Sequence, residues 1–466
     1  MAFLVGGANS LADTGYNIDN SLRINRGDSP ALSDSITSTA TSWTVSCWIK
    51  NTISANTRYI WSFGTGGNGT GNSFDSSSGL AYYDNEGAEV LIRDTNPKFR
   101  DPSAWYHFVC KNDGGTITTY MNGVQQATGT GGQPLLSSTL YVGRFAGTAY
   151  HWDGYISEFY FIDGTAYSPS TFAETDEGSG IWKPKEADVT FGSDGLFLEF
   201  KQTGTGTDSS GMGADTSGND NHMAVSNLAA TDVTTDTPTN NFCTINILTC
   251  GTVLTQTPTL AEGNCQFTST SSSSQGTSAD GTIVPSSGKW YWEVKCTTTI
   301  RNGMSTGIIK VEGYKPSWQG DSYFYGADSS IGSKGYGYNY NTGKPQTNAV
   351  DSTTNQGSAV STNDIVGVAL DLDNGALYYS INGTFQASSD PTSGGSKTNA
   401  QHSFTAGDNY APAIYGYQTT TFQVNYGNPP YANSSDAADA AGYGAFEYAP
   451  PSGYYALCTK NLAEFG

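Results

Sequence analysis

The 466-residue chain has little of what builds helices, membrane spans or nucleic-acid contacts. No stretch of about 12 residues shows helical periodicity. No heptad or short regular repeat that could form a fibre shaft is present. No run of roughly 18 apolar residues exists, so no segment reads as a membrane-spanning helix. The N-terminal MAFLVGGANSLADTG lacks the basic start and long apolar segment of a signal peptide, and none is expected. Lys and Arg total 21 against 42 Asp and Glu, a formal charge of −21. Phosphate contacts need clustered cations, so nucleic acid is not an expected partner. The same acidity keeps polar β surface soluble and deters edge-to-edge pairing. The seven cysteines show neither zinc-ribbon spacing nor a redox pair, and the number is odd. Cys47 and Cys110 alternate with aromatic residues and read as small core residues. Synthesis in a reducing cytoplasm is the expectation.

What is present is a β signal. The 29 Tyr, 20 Phe and 9 Trp fall in short runs separated by Gly, Ser, Thr and Asn, and aromatic residues favour strands. One pattern occurs twice: Met121-Asn122-Gly123-Val124-Gln125-Gln126-Ala127 and Ile381-Asn382-Gly383-Thr384-Phe385-Gln386-Ala387. Each follows a strand pair turned by Asp-Gly or Asn-Gly, a strong hairpin signal. A turn at Asn374-Gly375 would set Leu372 opposite Leu377, Leu370 opposite Tyr379 and Val368 opposite Ile381. A turn at Asp113-Gly114 would set Cys110 opposite Ile117 and Tyr106 opposite Met121. Apolar residues then share one face, which a one-residue slip would destroy.

Through these runs the first half resembles a laminin-G-like, concanavalin-type jelly roll. The matching segments are Ser42–Lys50, Asp101–Val109, Tyr120–Gly123, Leu140–Arg144 and Trp152–Ile156. The second half resembles a SPRY domain through Lys289–Val294, Asp364–Asp373 and Phe422–Gly427. The expected fold class is all-β, two tandem concanavalin-like β-sandwiches, laminin-G-like and then SPRY-like. The expected domains are 1–245, with a connector at its end, and 246–430; residues 431–466 form a tail packed on the SPRY-like domain or on a neighbouring subunit. The Asp215-Thr216-Ser217-Gly218-Asn219-Asp220-Asn221 motif follows the strand Gly195–Phe200 instead of opening the domain. That order implies a circular permutation in which this last strand closes the sandwich that the N-terminus opens. Glu174–Glu177 before Trp182-Lys183-Pro184, the Asp236–Phe242 connector and the Pro450–Leu462 ending resemble structural proteins of marine bacteriophages.

Each chemistry has a bland counterpart. Retaining glycosidases need two carboxylates about 5 Å apart. The nearest approach, Glu174-Thr175-Asp176-Glu177, sits in a polar, glycine-flanked stretch and reads as a solvated loop. Of the four histidines, His107 alternates with Trp105 and Val109 on a strand, His151 enters a strand, and no Gly-x-Ser-x-Gly elbow accompanies them or His222 and His402. No enzyme is expected. Asp208, Asp215, Asn219, Asp220 and Asn221 are candidate calcium ligands, although the same residue types are default turn formers. Carbohydrate binding is what the resemblance implies, and sugar rings stack on aromatic faces. The richest segment carries Trp318, Tyr323, Tyr325, Tyr336, Tyr338 and Tyr340 among Gly, Ser, Asp and Asn. Such mixtures also mark protein-binding loops, and strand packing is the competing role of these tyrosines.

The resulting expectation is a phage virion structural protein, made in the host cytoplasm and carried on the particle. Its leading role is a tail-fibre or tail-tip component that recognises host surface glycan or protein. Capsid decoration and a polysaccharide-degrading glycoside hydrolase are the alternatives. Other virion proteins and further copies of the chain are the expected assembly partners.

Overall fold

The computed structural model describes residues 4–5, 15–52, 56–65, 68–75, 79–83, 99–130, 138–147, 150–250, 258–270, 276–311, 335–348 and 350–466. The chain divides into two compact units, Asp13–Asn241 and Phe242–Gly466, the second also taking in the N-terminal residues. The first unit thus ends a few residues before the expected 245. Leu4–Val5 pairs in parallel with Ile283–Val284 of the second unit. Both units are β-sandwiches, and the only α-helix among the described residues is Thr459–Phe465.

In the first unit an eight-stranded sheet runs in the order Val124–Thr130, Thr116–Met121, Trp105–Asp113, Trp43–Asn51, Gly154–Asp163, Ser21–Ile24, Val233–Thr234, with Leu196–Leu198 also on Gly154–Asp163. It faces a six-stranded sheet that includes Arg58–Thr65 and Asn68–Phe74. Period-two alternation decides which side chains enter the core. Trp43, Val45, Cys47 and Ile49 go in, against Phe108, Cys110, Phe161, Trp61 and Phe63. Trp48 and Lys50 take the opposite face. The permuted ends meet, but not through the strand expected. Ala224–Ser226 pairs with Ala31–Ser35, and Val233–Thr234 pairs with Ser21–Ile24, while Leu196–Leu198 pairs with Gly154–Asp163.

The second unit stacks a nine-stranded sheet, centred on Lys289–Cys296 and Ile365–Asp371, on a six-stranded one. Trp290, Trp292 and Val294 face the core together with Val366, Val368 and Leu370. Tyr291, Glu293 and Lys295 face outward. The tail covers this outer face: Phe446, Tyr454, Ala456 and Cys458 pack with Tyr291, Ala369 and Tyr378, and Tyr455–Ala456 adds a parallel pairing to Trp290–Tyr291.

Both hairpin registers differ from expectation by two residues, which preserves the faces. Leu370 pairs with Leu377, Val368 with Tyr379 and Val366 with Ile381. The loop is longer because Asp371 accepts from the backbone N–H and the side-chain amide of Asn374. In the first unit Cys110 pairs with Thr119 and Phe108 with Met121. There Gly114 and Gly115, at φ 57° and 99°, form the turn.

The repeated Asn-Gly pattern is one device used twice. Asn122 and Gly123 have φ 49° and 76°, and Asn382 and Gly383 have 47° and 77°. Met121 pairs with Val124 and Ile381 with Thr384, the signature of a type I′ turn. Each Asn Oδ1 accepts from the N–H of the strand next door, His107 at 2.7 Å and Ile365 at 2.9 Å. An aromatic ring sits on each glycine. A β-carbon at Gly123 would lie 2.8 Å from Trp182, and one at Gly383 would lie 2.6 Å from Tyr448. Gly383→Ala is therefore expected to cost about 1–3 kcal/mol through left-handed strain and displacement of Tyr448, measured by denaturant unfolding.

Candidate functional site

Three of the six aromatic residues proposed as ligand contacts, Trp318, Tyr323 and Tyr325, lie outside the described residues. The other three belong to the core, which corrects that expectation. Tyr336 is 6% exposed, and Tyr338 and Tyr340 are fully buried. Their spacing of two, Tyr336 and Tyr338 on the strand Gly335–Asn339 and Tyr340 just after it, aims all three at the interior. Tyr338 donates to the Ser358 carbonyl at 2.7 Å and lies 5.0 Å from the Tyr379 ring. Tyr338→Phe is expected to lower stability by about 1 kcal/mol, the worth of one hydrogen bond, and to leave ligand binding unchanged.

The candidate calcium ligands do not converge. Both Asp215 oxygens are occupied by donors from this chain: the N–H groups of Phe197, Ser217 and Asn221 and the Ser217 hydroxyl. Asn219 and Asn221 turn their amide N–H groups to the carbonyl of Gly195. Asp208 accepts from Ser210, and Asp220 is exposed. Among the described residues no group of three or more His, Cys, Asp or Glu side chains is arranged to hold a metal. These residues organise a turn.

Glu174 lies on the first strand, and Asp176 just after it, of a hairpin of Ala173–Thr175 and Trp182–Pro184. Lys183 bridges them at 3.8 and 3.0 Å. The Lys183 ammonium and the Ser179 donors hold the Asp176 carboxyl down at about 2, so Asp176 is not a poised general acid. His107 is buried: Trp182 Nε1 donates to its Nδ1 at 3.2 Å and its Nε2 meets Ser46 Oγ at 3.0 Å. Burial pushes it down to about 3, so it is a neutral packing residue stacked on Trp48.

The second unit holds an open cleft of about 280 Å³ whose lining includes Lys295, Asn363, Ile365, Asn382, Tyr431, Asn433, Ser434, Glu447 and Tyr448. Its floor rests on Glu293, which is fully buried on the outer face of Lys289–Cys296. The Glu293 carboxylate accepts from the N–H groups of Glu447 (3.0 Å) and Tyr448 (2.8 Å), from the Asn425 amide (3.1 Å) and from the Tyr291 hydroxyl (3.3 Å). Burial raises its carboxyl while these donors pull it down, and burial prevails. The tail is thereby tied to the sheet, and Tyr448 and Glu447 become one wall of the cleft.

The polar groups of the cleft are mixed in sign. Lys295 lies 4.9 Å above the Tyr431 ring and makes no ion pair among the described residues. Glu447 accepts from the N–H and hydroxyl of Ser434, which hold its carboxyl below the usual range. The Asn433 amide donates to Ala445, leaving its Oδ1 with no partner among the described residues. The sequence reading did not find this site. Its members are scattered from position 295 to 448, and the one signal was Glu293 and Lys295 alternating with aromatic residues on a single strand.

The family comparisons agree with this architecture. Residues 25–170 match the model of the concanavalin A-like lectin/glucanases superfamily, and residues 289–429 match that of the SPRY domain. Solved structures with similar folds include the SPRY domain of human HERC1, at 12% identity over 39% of this chain and 96% of that chain, with a TM-score of 0.28. Another is the heptameric SAP-like pentraxin from Limulus polyphemus, at 20% identity over 39% and 93%, with a TM-score of 0.30. A third is domain 4 of AbnA, an extracellular arabinanase from Geobacillus stearothermophilus, in complex with arabinotriose, at 19% identity. This chain covers 65% of that domain, with 28% of its own length and a TM-score of 0.25. A search of curated proteins found no match. The chain carries a domain of the concanavalin A-like lectin/glucanases superfamily followed by a SPRY domain.

Proposed function

We propose that the protein is a non-enzymatic carbohydrate-recognition component of a phage virion, placed at a tail fibre or tail tip. The observation that carries the recognition role is the cleft beside Tyr448, where an aromatic ring and hydrogen-bonding groups meet around a single lining carboxylate, Glu447. The lectin/glucanase family of the first unit supports it. The virion assignment draws on the segments Glu174–Pro184, Asp236–Phe242 and Pro450–Leu462, which resemble marine phage structural proteins. A cleft of this size takes one or two sugar rings, so affinity per site is expected near the millimolar range, about −4 kcal/mol. Repeated copies on one particle raise the effective affinity by roughly 10²–10⁴ where their spacing suits the host surface.

Immunogold labelling of intact particles, combined with a glycan array probed with the full chain, tests this reading. Label at the tail with binding to one glycan class is the expected result. Label on the head favours capsid decoration, and absence of label from particles removes the virion role. Purified protein is also expected to release no reducing ends from a polysaccharide it binds. Release that disappears in Glu174→Gln would establish a hydrolase instead.

A further inference from the structure

Both units seat an aromatic ring on an Asn-Gly turn at the edge of their larger sheet, but they use the seat differently. In the first unit Trp182 lies on Gly123, stacks on His107 and donates to it, and Trp48 also stacks on that histidine. The seat is filled by the chain itself. In the second unit Tyr448 lies on Gly383, and the place beside it remains an open cleft. Tyr431 and Tyr448 come from beyond the SPRY match at 289–429, so the tail builds a wall that the SPRY domain alone lacks.

From this geometry we infer that the cleft binds an uncharged, hydroxyl-rich sugar ring, with Tyr448 providing a face for its C–H groups and Lys295 and Glu447 meeting its hydroxyls. The inference rests on the glycan-recognition reading above and assigns it a site and a ligand class. The mixed charge of the lining decides the class. A hydroxyl both donates and accepts, so one ring satisfies the Lys295 ammonium and the Glu447 carboxylate together. A uronate placed on Lys295 would bring a carboxylate towards Glu447. An amino sugar placed on Glu447 would bring an ammonium towards Lys295. Like charges brought together in an interface are penalised. The net charge of −21 opposes acidic glycans further at low salt.

Saturation-transfer NMR on the full chain tests this with maltotriose, mannotriose and galactotriose as neutral probes and trigalacturonate as the acidic one. At least one neutral trisaccharide is expected to bind in the millimolar range, at least tenfold more tightly than trigalacturonate. Lys295→Met, at the partly exposed rim, and Tyr448→Ala are each expected to weaken it by about tenfold, whereas Val350→Ala leaves it unchanged. Thermal unfolding of both variants separates lost contacts from lost folding, and Lys295→Met keeps the test valid if Tyr448→Ala unfolds. Neutral binding that ignores both cleft variants overturns the site while glycan recognition stands. Trigalacturonate binding as tightly as the neutral sugars overturns the ligand class. Failure of every sugar, with a peptide or protein from the host surface competing for the cleft instead, overturns this inference and the glycan-recognition reading together.

Discussion

Glu293→Ala is expected to destabilise the second unit by about 4 kcal/mol and to release the tail from the sheet. The carboxylate is the shared acceptor for two backbone N–H groups, an amide and a phenol, all drawn to one buried point. Removing it leaves the Glu447 and Tyr448 N–H groups buried without partners, at about 1–3 kcal/mol each, plus the loss at Asn425. Glu293→Gln does not rescue it. One amide N–H would then confront donors whose hydrogens cannot turn away, because two of them belong to the backbone. Denaturant unfolding measures the loss, and limited proteolysis reads the freed tail. A change under about 1 kcal/mol would mean that the tail is held elsewhere.

The buried carboxylate of the first unit should behave oppositely. Glu158 sits at φ 49° in a break of the Gly154–Asp163 register, where that strand changes partner from Ser21–Ile24 to Leu196–Leu198. It accepts from Tyr16 OH at 2.8 Å and Tyr160 OH at 3.1 Å. Burial, reinforced by Glu199 and opposed by the two phenols and Lys201, raises it to about 7 from 4.5. The folded state therefore holds a proton that the unfolded chain releases, so this group's contribution to stability falls as pH rises from about 4.5 to about 7. Glu158→Gln removes that dependence at little structural cost, since a phenol hydroxyl can rotate and accept from the amide. Relative to wild type, the variant is expected to gain roughly 2–3 kcal/mol on going from pH 5 to pH 8. His107 and His402, driven down to about 3 and 4 by burial, lose stability as pH falls. They act equally in both proteins and cancel in the comparison. Parallel unfolding curves for wild type and variant across this range would contradict the assignment.

The strands were legible because alternation survives errors of register. Asp113-Gly114-Gly115 and Asp373-Asn374-Gly375 each offer more than one place to turn, and choices two residues apart leave the same side chains facing inward. Pairing could thus shift while the cores of Cys47, Cys110, Val368 and Leu370 stayed as read. The same rule applied to Tyr336, Tyr338 and Tyr340 would have placed them in the core, since three tyrosines at a spacing of two share one strand face. Their Gly- and Asn-rich setting pointed instead to a binding loop. The cleft was not legible because Lys295, Asn363, Asn433 and Glu447 meet only when the tail docks on Glu293. Nothing local in residues 431–448 names a glutamate some 150 residues earlier as their anchor.

The most direct test of the central claim is a crystal structure of the full chain soaked with the best neutral trisaccharide. The account predicts a sugar ring bounded by Tyr448, Lys295 and Glu447, with hydroxyls within hydrogen-bond distance of the Lys295 ammonium and the Glu447 carboxylate. A sugar bound elsewhere on the chain, with this cleft occupied only by solvent, would contradict it.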